Sequence, residues 1–187
     1  MDEIRTFICF ELPTEVKSEL KRVQDILRPQ LGGVSWVKAE GIHLTLKFLG
    51  EVPSASLKAI AEAVQDSATA FAAVRLRLSG LGAFPSLQRP RVYWAGAAVQ
   101  SGNLSGLQQS LEEALAKVGF PKEDRPFSPH LTLGRVKQFE RGSKPAEVFG
   151  KVQLQPLEFT CDELVLMRSD LKPSGAEYTP LEKFPLR

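Results

Sequence analysis

Cysteine, methionine, tryptophan, tyrosine and histidine are all scarce in this chain, with two of each. Neither Cys9 nor Cys161 sits in a Cys-x-x-Cys pair or a metal-ligand spacing, which excludes a dithiol redox motif and a cysteine-built zinc site. Cys9 falls inside an apolar strand candidate and reads as a buried thiol. An excess of charge of one sign is also missing. Lysine and arginine number 24 against 22 acidic residues, a net charge of +2. That balance excludes broad attraction to a nucleic-acid backbone, so any such contact is expected to be local and directed at an end. No apolar run approaches the length of a membrane span. Asp2, Glu3 and Arg5 precede only a short apolar stretch, unlike a signal peptide, so a cytoplasmic protein is expected. Glycine loops for phosphates are absent too. The chain has neither G-x-x-x-x-G-K-[ST] nor G-x-G-x-x-G, so neither ATP nor a dinucleotide is implied as a cofactor.

What is there is a repeat. The two histidines open two copies of one tetrapeptide, His43-Leu44-Thr45-Leu46 and His130-Leu131-Thr132-Leu133. At ordinary residue usage, a chance second copy behind the other histidine is roughly a one-in-a-thousand event. Each copy lies in an apolar stretch without helix caps and reads as a strand. Alternation then puts His43 and Thr45 on one face, with Leu44, Leu46 and Phe48 on the other. His130 and Thr132 likewise oppose Leu131 and Leu133. A single histidine would read as a satisfied core or surface residue. Two matched His-x-Thr strands facing each other instead surround one cavity with two imidazoles and two hydroxyls.

Those groups suit a particular chemistry. A neutral imidazole takes a proton from a nucleophile and a protonated one gives a proton to a leaving group. Neutral hydroxyl donors hold anionic oxygens between them. The set fits in-line displacement at phosphorus. Two histidines without a cysteine or carboxylate cluster fall short of a zinc site, so no metal is expected.

The rest of the chain supplies a scaffold. Strands are expected at Arg5 to Leu12, Ser35 to Val37, Ile42 to Leu49, Val74 to Leu81, Arg91 to Ala98, His130 to Val136, Val152 to Thr160, Glu163 to Ser169 and near Tyr178 to Phe184. Helices are expected after Pro13, with Thr14 as N-cap and Leu20, Val23, Leu27 and Leu31 on the apolar face; after Ser54; and over Leu104 to Val118. Gly50 to Ser54 reads as a turn and Gly80 to Pro85 as a loop. Gly142 to Phe149 reads as a loop or short helix. Each histidine strand follows a strand and a helix, which suggests a diverged internal duplication. No linker separates the halves. The expectation is therefore one α+β domain over residues 1–187, built as two interleaved lobes. Two antiparallel sheets should line a central cleft with helices outside. Lys47 shares the His43 face by alternation and reads as a solvated strand-end lysine. Strict alternation sends Arg135 to the leucine face unless a bulge re-aims it. Phe48 reads as core. Trp36 and Phe127 are aromatic candidates for base stacking, with core as the competing place for Phe127. Arg89, Arg91, Lys137, Arg141 and Lys144 are candidates for a basic rim.

The paired His-x-Thr-x motif resembles the 2H phosphoesterase superfamily. The flanking stretches Arg5-Thr6-Phe7-Ile8, Gly41 to Gly50, Pro90 to Gly96 and Phe127 to Arg135 resemble its RNA 2′,3′-cyclic phosphodiesterase branch, formerly called 2′-5′ RNA ligase. The resemblance implies a bilobal, pseudo-twofold fold. It also implies opening of an RNA 2′,3′-cyclic phosphate end to a 2′-phosphate, with His43 as proton donor and His130 as proton acceptor. It places Arg135 on the substrate beside Thr45 and Thr132. The near-symmetric motif alone leaves the two histidine roles interchangeable. The expected partner is an RNA end or a cyclic nucleotide, bound by a monomer without metal or cofactor. Reverse 2′-5′ joining of RNA ends is a secondary possibility. A binding module without turnover is the rival from another class, and the presence of both histidines and both threonines disfavours it.

Overall fold

The structure is a computed structural model that describes residues 2–187. Its strands are β1 (Glu3–Glu11), β2 (Val34–Trp36), β3 (His43–Pro53), β4 (Val74–Phe84), β5 (Val92–Ser101), β6 (His130–Val136), β7 (Glu158–Cys161), β8 (Glu163–Lys172) and β9 (Gly175–Pro185). The helices are α1 (Thr14–Leu27), α2 (Leu57–Ala70), α3 (Leu104–Lys117) and α4 (Pro145–Gly150). The α+β class and the two antiparallel sheets are as expected. One sheet runs β3-β1-β8-β9 and the other β2-β6-β5-β4-β7.

The duplication is visible in those orders. Without β2, the two sheets read β3-β1-β8-β9 and β6-β5-β4-β7, with the two histidine strands in matching places. The halves are exchanged as well as repeated. β4 follows α2 in the first half but pairs with β5 of the second, while β8 comes late in the chain and pairs with β1. Neither half-chain builds a sheet alone. Helices α2 and α3 pack together behind the first sheet, and α1 and α4 back the second. Thus α1, which leaves the first sheet, crosses behind the second. Its apolar stripe Val16, Leu20, Val23 and Leu27 is buried there, at the three-to-four spacing that holds one helix face against a core.

Glycine punctuation misleads in two places. Gly50 and Gly80 were expected to end strands. Both instead have positive φ, 74° and 80°, beside register shifts inside strands that continue. β3 runs on to pair Val52 with Ile4, and β4 runs on to pair Phe84 with Val92. A left-handed glycine accommodates a bulge as readily as a turn. β7 is shorter than expected, because residues 152–157 lie outside any strand.

Two polar clips, each built on a buried glutamate, close the layers. On the first side Glu112 of α3 accepts Lys47 Nζ at 2.8 Å and the Glu123 backbone N–H at 3.1 Å, while Lys47 also donates to the Pro121 carbonyl at 2.7 Å. On the second side Glu19 of α1 accepts Arg22 at 2.6 Å and the Gln155 N–H at 2.8 Å, and Arg22 donates to the Gln153 carbonyl at 2.6 Å. Each clip grips the carbonyl and the N–H of residues two apart in a loop. Lys47 is therefore no solvated lysine. Its side chain is 3% exposed, because the extra residue Leu46 in β3 turns it inward.

Removing one member of a buried pair strands the other charge. Glu112→Ala is expected to destabilise the protein by about 3 kcal/mol in urea unfolding. The double change Lys47→Met with Glu112→Leu should recover most of that loss, since an apolar pair of similar volume leaves no charge buried.

Candidate active site

β3 and β6 come from different sheets and approach within 8 Å between Cα atoms where the sheets meet. Burial orients both motifs. Leu44, Leu46, Leu131 and Leu133 all lie in the main core at 3% exposure or less. The alternate side chains are then forced to the opposite face. His43, His130 and Thr132 are half-buried there and Thr45 is exposed.

The two imidazoles have different surroundings. His43 is wedged between Phe7, at 5.2 Å between ring centroids, and Tyr178, at 4.5 Å and perpendicular. Burial drives its pKa from 6.5 down to about 4, helped by Lys17 and opposed by Glu11. The Lys17 ammonium is held in place by a 3.0 Å bond to the Glu40 carbonyl. A group desolvated in this way stays neutral, because burial penalises the cation. His130 packs edge-on against Phe84 at 4.9 Å. Its Nδ1 lies 2.8 Å from the Ser128 carbonyl. A carbonyl only accepts, so Nδ1 carries the proton and a neutral ring keeps the Nε2 lone pair free.

Both motif strands carry an extra residue at the same place. In β3, Thr45 pairs with Cys9 and Lys47 with Ile8, leaving Leu46 between them. In β6, Thr132 pairs with Trp94 and Gly134 with Tyr93, leaving Leu133. A one-residue bulge inverts the phase of everything after it. Lys47 therefore turns into the core. Phe48, expected in the core, turns out of it and is 43% exposed, with the Arg5 guanidinium 4.6 Å above its ring. By the same inversion Arg135 returns to the His130 and Thr132 face, and it is exposed. Phe48 and Arg135 are thus counterparts in the duplication.

Tyr178 of β9 covers His43 and Phe7. Burial raises its phenol pKa, while Arg135 and Arg5 act to lower it. Arg135 rises from the second sheet and Arg5 from the first, so the hydroxyl lies within the field of both. Tyr178, Phe7 and Phe84 were not singled out in the sequence. No sequence signal joins Tyr178 to His43, and the structure shows its ring packed on the segment before β3, where a Cβ added at Gly41 would stand 2.8 Å away. The expected aromatics behave otherwise. Trp36 stacks on Tyr93 at 6.1 Å and packs against the core, so it is not a cleft-mouth residue. Phe127 is half-buried and also packs against the core. Arg89, Arg91, Lys137 and Arg141 are exposed, and Lys144 is paired with Glu147 at 3.1 Å. Among the described residues, no three of His, Cys, Asp and Glu converge as metal ligands.

Two sheets presenting paired His-x-Thr strands to one cleft define a phosphoesterase of the two-histidine class. The chain belongs to the 2′-5′ RNA ligase superfamily, whose family model matches residues 12–173. It is 39% identical to an RNA 2′,3′-cyclic phosphodiesterase of Thermus thermophilus, over 98% of this chain and 91% of that one. It is 34% identical to an RNA 2′,3′-cyclic phosphodiesterase of Methanothermobacter thermautotrophicus, over 98% and 100%. Among solved structures it resembles a Thermus thermophilus protein with a TM-score of 0.84, 35% identity and 98% coverage of both chains. It also resembles Escherichia coli LigT complexed with 3′-AMP, with a TM-score of 0.75, 25% identity and 99% coverage of both.

With only two histidines, each imidazole gives its own NMR signal. His43 is expected to titrate near pH 4 in the free protein, and a midpoint near 6.5 would refute its desolvation. The unfolded chain binds a proton there from pH 6.5 downward while the folded chain does not, so stability falls as pH drops from 6.5 towards 4. His43→Gln should remove on the order of 3 kcal/mol of that acid loss in denaturant titrations at pH 4 and 7.

Proposed function

We propose that this protein hydrolyses the 2′,3′-cyclic phosphate end of RNA, or a cyclic nucleotide, to a 2′-phosphate by acid–base catalysis without a metal. The observation that carries this reading is the pair of His-x-Thr faces on β3 and β6, brought together from separate sheets. The curated relatives named for that activity match nearly the whole chain.

In the reaction, Nε2 of His130 removes a proton from water as its oxygen attacks phosphorus. The P–O3′ bond breaks, and His43 delivers a proton to the departing O3′. Thr45 and Thr132 hold the non-bridging oxygens, and Arg135 neutralises the charge that gathers on them. Phe127 supports the loop that delivers Ser128 to His130. The tautomer set by the Ser128 carbonyl suits His130 to the acceptor role. His43 is neutral in the free protein, so it acts as donor after the anionic diester is bound, when the added negative charge favours the imidazolium. A product complex leaves His130 protonated and His43 neutral, and exchange with solvent resets the pair. The same pair run backwards joins RNA ends through a 2′-5′ linkage.

One observation favours a second assignment. A neutral His43 is also ready to serve as the base, with His130 as the acid.

Incubation with a 2′,3′-cyclic-phosphate-ended RNA in EDTA should yield a 2′-phosphate. His43→Ala and His130→Ala should each lower kcat by a factor of about 10² to 10⁴. Turnover that depends on added metal would refute the mechanism. Binding without turnover would leave an RNA-end-binding module. The roles separate on a substrate whose 3′ bridging atom is sulfur, a leaving group that departs without a proton. With His43 as donor, His43→Ala recovers most of its loss on that substrate while His130→Ala does not.

A further inference from the structure

The bulges at Leu46 and Leu133 decide which side chains reach the cleft, and each is met from outside its own strand by a helix side chain. The buried leucine pattern sets the approximate place of a bulge, and a contact from outside the ladder fixes it further. In both strands one such contact is a glutamine amide on a helix. Gln24 of α1 donates to the Leu133 carbonyl at 2.8 Å and to the Val37 carbonyl at 2.7 Å. Gln108 of α3 donates to the Leu46 carbonyl at 3.3 Å and to Glu112 at 3.1 Å. The same bond, from the same residue type to the same motif position, occurs once in each half of the duplication.

Gln24 is only 1% exposed and sits among the leucines of the main core. A buried amide is tolerated there only when its hydrogen bonds are made. Its neighbours along the helix face, Leu20, Val23 and Leu27, show that an apolar residue fits the site by size. The Leu133 carbonyl already accepts the Val37 N–H at 3.0 Å. The glutamine therefore does more than satisfy a lone carbonyl. It ties the carbonyl of the extra residue to that of Val37 through one planar group, and so fixes where β6 bulges relative to β2.

We infer that Gln24 is a positioning residue for Arg135, with Gln108 its counterpart for Phe48. By pinning the bulge at Leu133, Gln24 keeps Arg135 on the His130 and Thr132 face. Each lock comes from a helix that leaves the opposite sheet. Gln24 follows β1 of the first sheet and Gln108 follows β5 of the second. Each motif is thus phased by the other half of the chain. The inference rests on the proposed phosphate role of Arg135.

A double-mutant cycle tests it. kcat and KM for a 2′,3′-cyclic-phosphate-ended RNA are measured for the full chain, Gln24→Met, Arg135→Ala and the double variant, with folding checked by circular dichroism. Gln24→Met should lower kcat/KM by about tenfold where Arg135 is present and by less than about twofold where it is absent, as coupled sites do. An equal loss in both backgrounds, or no loss at all, overturns the positioning role. No loss from Arg135→Ala itself overturns the placement of Arg135 on the phosphate, and the inference with it, even where both histidine variants are inactive. If Gln24→Met does not fold, Gln24→Asn, whose amide stops one carbon short, goes through the same cycle with the same two outcomes.

Discussion

Which residues follow the two His-x-Thr pairs into the cleft depends on two extra residues in two strands. Leu46 and Leu133 each break a ladder once, directly after a His-x-Thr pair. Before the break, the buried leucines push the imidazoles and hydroxyls outward. After it, the phase inverts. The positions of Lys47 and Gly134 then face the core, and those of Phe48 and Arg135 leave it. A strand of perfect alternation would place an arginine in the core and a lysine in the cleft. Burial of an unpaired charge is far more costly than one bulge, and Lys47 enters the core only because Glu112 meets it there. The ion pair and the bulge are therefore two parts of one arrangement.

The duplication makes the halves similar in pattern and different in chemistry. His43 is enclosed by Phe7 and Tyr178 and loses its proton to desolvation. His130 keeps one aromatic neighbour, and a backbone carbonyl sets its tautomer. Phe48 and Arg135 occupy matching places, one offering a ring under an arginine and the other an arginine itself. Identical tetrapeptides thus present imidazoles with different neighbours, because the residues that enclose each one come from segments outside the repeat.

The exchange of strands and helices ties the two motifs into one structure. β4 lies in the sheet of the second histidine strand and β8 in that of the first, and α1 and α3 each back the sheet they do not come from.

The repeated His-x-Thr-x tetrapeptide, the alternation that separates leucines from histidines, the α+β class and the paired sheets were all legible in the sequence. They are local, and a strand carries its two-residue period wherever it lies. Where alternation is interrupted, that local reading breaks down. Lys47 and Phe48 went to the wrong faces, and Gly50 and Gly80 looked like turns, because a bulge and a turn use the same left-handed glycine. Arg135 needed a bulge that its own strand does not announce. Tyr178 lies 135 positions beyond His43 in the sequence, with no motif to join them. Partners, burial and therefore proton affinity belong to contacts between distant segments. The sequence by itself determined which groups perform the chemistry. Only the tertiary structure decided which of them meet, which way each faces and that His43 is desolvated, because burial and strand register arise from packing.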